Sequence, residues 1–266
     1  LDLRLPRIMG ILNLTPDSFS DGGQFDRPEA ALAQARHLAA DSDMLDLGGE
    51  STRPGAAEVA QAEEIARTAP VIRALRADGI ATPISIDTRK ATVAAAALDA
   101  GADLVNDVSG FDFDPGMAGL VAARAAPVCI MHAQGLPETM QHDPRYGDVL
   151  LDVYDALETR LQRAEAAGID RRRILLDPGI GFGKTQAHNL ALLRRVGLFH
   201  GLGCPILLGV SRKGFIGRIG QQPDAALRAP GSIALGLEGL AQGVQILRVH
   251  DVAETVQAVR LWQAVG

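Results

Sequence analysis

At 266 residues, with 47% hydrophobic and 22% charged side chains, the chain carries enough apolar material for a sizeable core, which excludes a disordered protein. A net charge of -6, without any Lys/Arg block interleaved with aromatics, excludes nucleic acid as the expected partner. No apolar run reaches the roughly eighteen residues that cross a bilayer. The opening LDLRLPRIMG lacks a signal-peptide pattern, and Cys129 and Cys204 lie in or beside apolar runs, which suits buried thiols and a cytoplasmic location.

In chain order, short apolar runs recur near residues 7–12, 43–47, 83–86, 103–108, 127–131, 174–176, 205–210 and 245–249. Runs such as Ile206-Leu207-Leu208 do not alternate, as expected of strands buried on both faces in a parallel sheet. Between them lie stretches of helical period, for example Leu150, Val153, Leu157 and Leu161, and later Val252, Val256 and Val259. Eight strands alternating with eight helices predict an α/β protein of one domain, residues 1–266, closed as a (β/α)8 barrel. An open doubly wound sheet gives a similar linear pattern, but no Rossmann glycine fingerprint is present. Two connections, 15–27 and 134–147, are long enough to serve as lids or binding loops.

Every run ends in a polar group: Asn13, Glu50, Asp87, Asn106, His132, Asp177, Lys213 and the pair Arg248 and His250. Barrel geometry brings such ends to one rim, where a small ligand can meet them all. In ILRVHD a side-chain period of two sets Arg248 and His250 on one face, over the barrel mouth, and Leu247 and Val249 on the other, toward the helices. His132 reads as a packed, hydrogen-bonded histidine and is left out of the site.

Three motifs are decoys. PGIGFGKT at 178–185 approaches a phosphate loop, but its first position is Pro178, which lacks the backbone freedom required. Asn13-Leu14-Thr15 matches a glycosylation acceptor that a cytoplasmic protein does not use. Asp17 and Asp21 are two carboxylates without further ligands.

The blocks MGILNLTPDSFSDGG at 9–23, DLGGESTRPGA at 46–56, SIDT at 85–88, NDVSG at 106–110, DPGIGFGK at 177–184, SRKGFIG at 211–217 and RVHD at 248–251 together resemble the dihydropteroate synthase family of pterin-binding barrels. The resemblance runs the length of the chain, in order. It implies a transferase of folate synthesis that joins 6-hydroxymethyl-7,8-dihydropterin diphosphate to p-aminobenzoate and releases diphosphate. It further implies Mg²⁺ held at Asn13; diphosphate contacts from Thr52, Arg248 and His250; a pterin site of Asp87, Asn106, Asp177 and Lys213; and an aminobenzoate site bounded by Phe19, Arg53, Pro54 and Gly214. A homodimer and sulfonamide sensitivity are family defaults.

The residue chemistry agrees with these roles. A carboxylate and an amide, Asp177 and Asn106, suit the flat donor-rich edge of a pterin. Positive charge at Arg248 and His250 suits a leaving diphosphate, and such preorganised donors are commonly worth about 3 kcal/mol each. Because an arylamine is already neutral near pH 7, a dissociative substitution without a strong general base is expected, with loops 15–27 and 51–57 excluding water. A corrinoid methyltransferase would share the pterin groups but has no use for the LNLTPDSFSDGG, STRPG and SRK blocks. A silent paralogue kept as a binding protein remains the reading from a different class, and turnover separates the two.

Overall fold

The computed structural model describes residues 2–15, 27–51, 55–135 and 139–265. Strands and helices alternate: β1 (Arg7–Asn13), α1 (Arg27–Asp41), β2 (Met44–Gly48), α2 (Gln61–Ala77), β3 (Ile84–Asp87), α3 (Ala91–Asp99), β4 (Leu104–Asp107), α4 (Met117–Arg124), β5 (Val128–Met131), α5 (Val149–Ala166), β6 (Ile174–Asp177), α6 (Gln186–Leu193), β7 (Leu207–Leu208), α7 (Gly214–Ile219), α8 (Ala229–Ala241), β8 (Ile246–Val249) and α9 (Val252–Val265). All ladders are parallel, in the order β6-β5-β4-β3-β2-β1-β8-β7. A single bridge, Leu176 to Ile206, joins the two ends, and Leu176 N–H donates to Pro205 O at 2.9 Å, so the sheet closes into a barrel.

Strand parity divides the apolar residues into two sets. Leu45, Leu47, Ile84, Ile86, Val105, Val128, Ile130, Leu247 and Val249 point outward into a core shared with helix residues such as Ile72, Leu75, Val121 and Leu157. Met9, Met44, Leu104, Cys129, Leu175, Leu207 and Ile246 point inward and fill the barrel's lower half. This plug is the floor on which the site rests, because most of the inward positions above it are polar, Ile11 and Met131 being apolar exceptions. The helices seat themselves by ordinary means. In α5, Asp148 caps the start by accepting from the Leu150 and Leu151 N–H groups, and Val153, Leu157 and Leu161 are buried on its inner face as the 3.6 period requires.

Two expectations need correction. The run at 205–210 yields a strand of only two residues, since Pro205 has no N–H to give and Gly209 ends the pairing. Nine α-helices, not eight, occur among the described residues. The β7–β8 connection holds both α7, which stops at Gly220, and α8, which starts with Pro230 in its first turn. Both cysteines are buried free thiols, and no helix among the described residues is long and apolar enough to cross a membrane.

Candidate active site

A cavity of about 910 Å³ opens at the C-terminal ends of the strands. Asn13, Asp87, Asn106 and Asp177 enter it from the ends of β1, β3, β4 and β6, Arg248 and His250 from β8 and its extension, and Lys213 and Gly214 from the turn into α7. The ladder register explains much of the convergence: Asn13 lies opposite Gly48, Gly48 opposite Asp87 and Asp87 opposite Asn106, while the next strands continue that row through Cys129 to Leu175, with Asp177 the next inward position above it. Eight candidate residues from distant parts of the sequence therefore line one space. Phe19, Thr52, Arg53 and Pro54, like Asp17 and Asp21, lie outside the described residues. So does most of the expected lid at 15–27.

On the β2-β3-β8 side the polar groups are charged and tied together. Arg248 Nε donates to Asp46 Oδ2 at 2.5 Å, and its Nη2 donates to Asp87 Oδ2 at 2.6 Å. Asp46 is fully buried, one step below the cavity on β2, and also accepts from Asn106 Nδ2 at 3.2 Å. Burial pushes the Asp87 carboxyl up to about 7; Arg248 opposes that rise and the neighbouring Asp46 adds to it. For Arg248 burial works against the charge, but Asp46 and Asp87 outweigh it and hold the guanidinium protonated. Nearby, His250 places Nδ1 2.9 Å from Ser211 Oγ.

The β5-β6 side is different. Lys184 is buried, yet no carboxylate among the described residues bonds it: its ammonium has His132 Nδ1 at 2.9 Å, Phe182 O at 3.0 Å and His132 O at 3.3 Å. Three acceptors suit an ammonium, whereas burial disfavours its charge and brings the group down to about 7, with Asp177 opposing and Arg160 and Lys213 assisting. His132 is pushed down to about 2 by burial and then by Lys184 and Arg160, so it stays neutral and accepts at Nδ1. Asp177 accepts from Gly179 N–H at 2.7 Å through Oδ1 and is raised by burial, against that bond and the charges of Lys213, Arg248 and Lys184. Lys213 extends its Nζ to 4.3 Å from the centre of the Phe182 ring.

The sequence pattern of the family described as pterin binding enzyme matches residues 9–250. This chain belongs to that family. It is 46% identical to a dihydropteroate synthase of Neisseria meningitidis serogroup C, with 100% of this chain and 95% of the relative covered. A Xanthomonas albilineans dihydropteroate synthase solved with 4-aminobenzoic acid superposes with a TM-score of 0.94 at 47% identity, covering 100% of this chain and 94% of that one. The same organism's enzyme in complex with 7,8-dihydropteroate gives 0.91 at 44% identity, covering 100% and 95%. Within the pterin-binding enzymes the chain is thus placed among the dihydropteroate synthases, as transferases of folate synthesis.

For a pterin-binding barrel, the PGIGFGKT segment has a role that its likeness to a phosphate loop concealed. Gly179 and Gly183 adopt positive φ, and a Cβ at either would lie 1.8 Å from His132 O or 2.3 Å from Gln134 O. The glycines let this turn press against the segment that follows β5, and that packing delivers Phe182 and Lys184 to the cavity. Sequence reading passed over Lys184, Phe182, Ser211 and Asp46. The alternation of glycines at 179, 181 and 183 was the available signal for the first two. Glu50 borders the cavity, but Arg89 at 2.9 Å and the buried Lys90 bond its carboxylate, so it anchors the wall. His132 bonds the Lys184 ammonium through Nδ1 and is not among the residues that line the cavity.

Proposed function

We propose that the chain condenses 6-hydroxymethyl-7,8-dihydropterin diphosphate with p-aminobenzoate to give 7,8-dihydropteroate and diphosphate. The observation that carries this reading is the meeting of Asp87, Asn106 and Asp177 with Arg248, Lys213 and His250 around one cavity. The acidic and amide groups offer in-plane acceptors for the pterin's N–H edge, and among the described residues Asp177 Oδ1 is held by Gly179 while Oδ2 takes no hydrogen bond. Arg248, His250 and Lys213 supply positive charge for the diphosphate and the pterin's carbonyl side. The dihydropterin can bear a cation at its exocyclic CH2 as diphosphate departs with the C–O electron pair, and the neutral aminobenzoate amine then forms the C–N bond and gives up one proton to the departed diphosphate or to water. No nucleophilic serine or cysteine takes part.

Mg²⁺ fits this reading. Asn13 offers one neutral amide oxygen at the cavity wall, and no group of three His, Cys, Asp or Glu that could hold a metal occurs among the described residues. A cation there would take its other ligands from diphosphate and water. Bound so, it supplies charge neutralisation to the leaving group. Thr52, Phe19, Arg53 and Pro54 complete the proposal as diphosphate and aminobenzoate contacts. A homodimer in the cytoplasm is also proposed; the buried free thiols support a reducing compartment, and the exposed Ile219 and Leu227 support pairing through helix surfaces.

The test is turnover of purified protein with both substrates, following diphosphate and dihydropteroate together. Equimolar release that stops in excess chelator is the expected result. No turnover would favour a binding paralogue, and full activity in chelator would remove the metal from Asn13. Titration adds a second arm: p-aminobenzoate should bind weakly to free enzyme and far more tightly with Mg²⁺ and diphosphate present.

A further inference from the structure

We infer that Asp46, which touches no part of the cavity, is a positioning residue that fixes which atom of Asn106 faces the ligand. This inference rests on the pterin reading of the site. Asp46 sits at the middle of β2 and its side chain is wholly excluded from solvent, while Asn106 borders the cavity from the end of β4. A carboxylate bonded as Asp46 is, between the Arg248 guanidinium and the Asn106 amide, can only accept. The Asn106 NH2 must therefore turn down toward Asp46, and its carbonyl oxygen is the end left to the ligand. An asparagine without such a neighbour can present either end, since its two orientations are nearly equal in shape.

The same carboxylate fixes the guanidinium. Asp46 takes Arg248 Nε and Asp87 takes Nη2, so two of its three nitrogens are committed beneath the ligand. The guanidinium plane is fixed before anything binds. Asp46 Oδ1 and Asp87 Oδ1 are buried without a hydrogen-bond partner among the described residues. Nothing in the packing therefore requires a carboxylate at position 46 except the two donors it orients. An apolar residue would suit the interior better, with Ile11 and Ser85 as its ladder neighbours.

The test is the Asp46→Leu variant, which keeps the branched shape and removes Oδ2, the one oxygen that accepts from both Arg248 Nε and Asn106 Nδ2. Asn106 is then free to present either end, while Arg248 keeps its bond to Asp87. Binding of 6-hydroxymethylpterin, by calorimetry, should fall by at least tenfold, on the scale of one buried hydrogen bond lost. KM for p-aminobenzoate should change less than threefold. In an Asn106→Ala background the same substitution should cost at least threefold less in pterin affinity than in the parent, because one of the two residues through which it acts is gone. Pterin binding by folded Asp46→Leu within twofold of the parent would overturn the inference. So would an undiminished penalty in the Asn106→Ala background. If the variant does not fold, the parent decides: by NMR, one Asn106 Nδ2 proton should be protected from exchange in both free and pterin-bound enzyme, and exchange at the rate of an open amide would refute the assignment. A parent that fails to bind 6-hydroxymethylpterin would instead sink the pterin reading, and would leave the Asn106 protection result standing.

Discussion

The two walls of the cavity solve the burial of charge in opposite ways. On the β2-β3-β8 wall, Asp46 and Asp87 flank Arg248, so the guanidinium stays ionised and oriented. On the β5-β6 wall, Lys184 is surrounded by neutral acceptors, and its amine is brought down to about 7. The contrast shows that depth alone does not set a group's charge: Arg248 is hydrogen-bonded to partners of opposite sign, whereas the groups that bond Lys184 are neutral and Asp177 acts on it only from a distance. One wall keeps a permanent charge, which the proposed reaction would set against its anionic leaving group, and the other keeps a charge that responds to its surroundings.

Arg248→Ala should break the first wall most severely. It strands two buried carboxylates and removes the cation, so kcat/KM should drop by about a thousandfold or more and stability by about 3–5 kcal/mol. Steady-state kinetics and thermal unfolding test this, and activity within tenfold of the parent would contradict the role of Arg248. Asp177→Asn exchanges an acceptor for a donor where the two walls meet. It should weaken pterin affinity by about ten- to a hundredfold and leave that for aminobenzoate nearly unchanged. Equal pterin affinity in calorimetry would exclude Asp177 from the site.

Lys184→Met sharpens the comparison through pH. The folded lysine titrates near 7, below its ordinary 10.5, so its contribution to stability is full above about 10.5 and is lost as pH falls through about 7. Asp87 is the reverse case: raised from 3.8 to about 7, its contribution is full below about 3.8 and is lost as pH rises through about 7. From opposite directions, the two walls disfavour the free protein most near neutrality. Denaturation midpoints between pH 7 and 10 should vary less in Lys184→Met than in the parent, by about 1–3 kcal/mol, with the acid limb unaltered. Parallel curves would show that Lys184 keeps its ordinary proton affinity. The smallest effect belongs to Thr185→Ala, which removes the hydroxyl that accepts from His188 N–H and caps α6 beside Lys184. A cost of about 1 kcal/mol with pterin affinity within twofold is expected, and a larger affinity loss would tie the cap to the placement of Lys184.

Most of the architecture could be read from residues because strands buried on both faces leave unbroken apolar runs, and because parity in ILRVHD orients Arg248 and His250 without further information. The seventh strand was overdrawn, since hydropathy at 205–210 does not register the donor that Pro205 lacks. The cavity groups at strand ends were visible as polar punctuation. Asp46 was not, although it stands in a quoted motif. A polar residue in mid-strand carries no mark of depth, and its partners Asn106 and Arg248 are 60 and 202 positions away. Lys184 was hidden differently: once Pro178 disposed of the phosphate loop, nothing in the string of residues showed that the following glycines fold the lysine inward.

The lone bridge between Leu176 and Ile206 has a consequence of its own. With β7 reduced to two residues, the barrel is stitched there by its shortest strand, and this seam runs up to Asp177 on one edge and to Gly209 and Ser211 on the other. Amides along Ile206–Leu208 are where native-state hydrogen exchange should register local opening first. A ligand held between Asp177 and Lys213 spans the seam like a rivet, so occupancy of the site is expected to slow exchange there more than in the long ladder between β1 and β2.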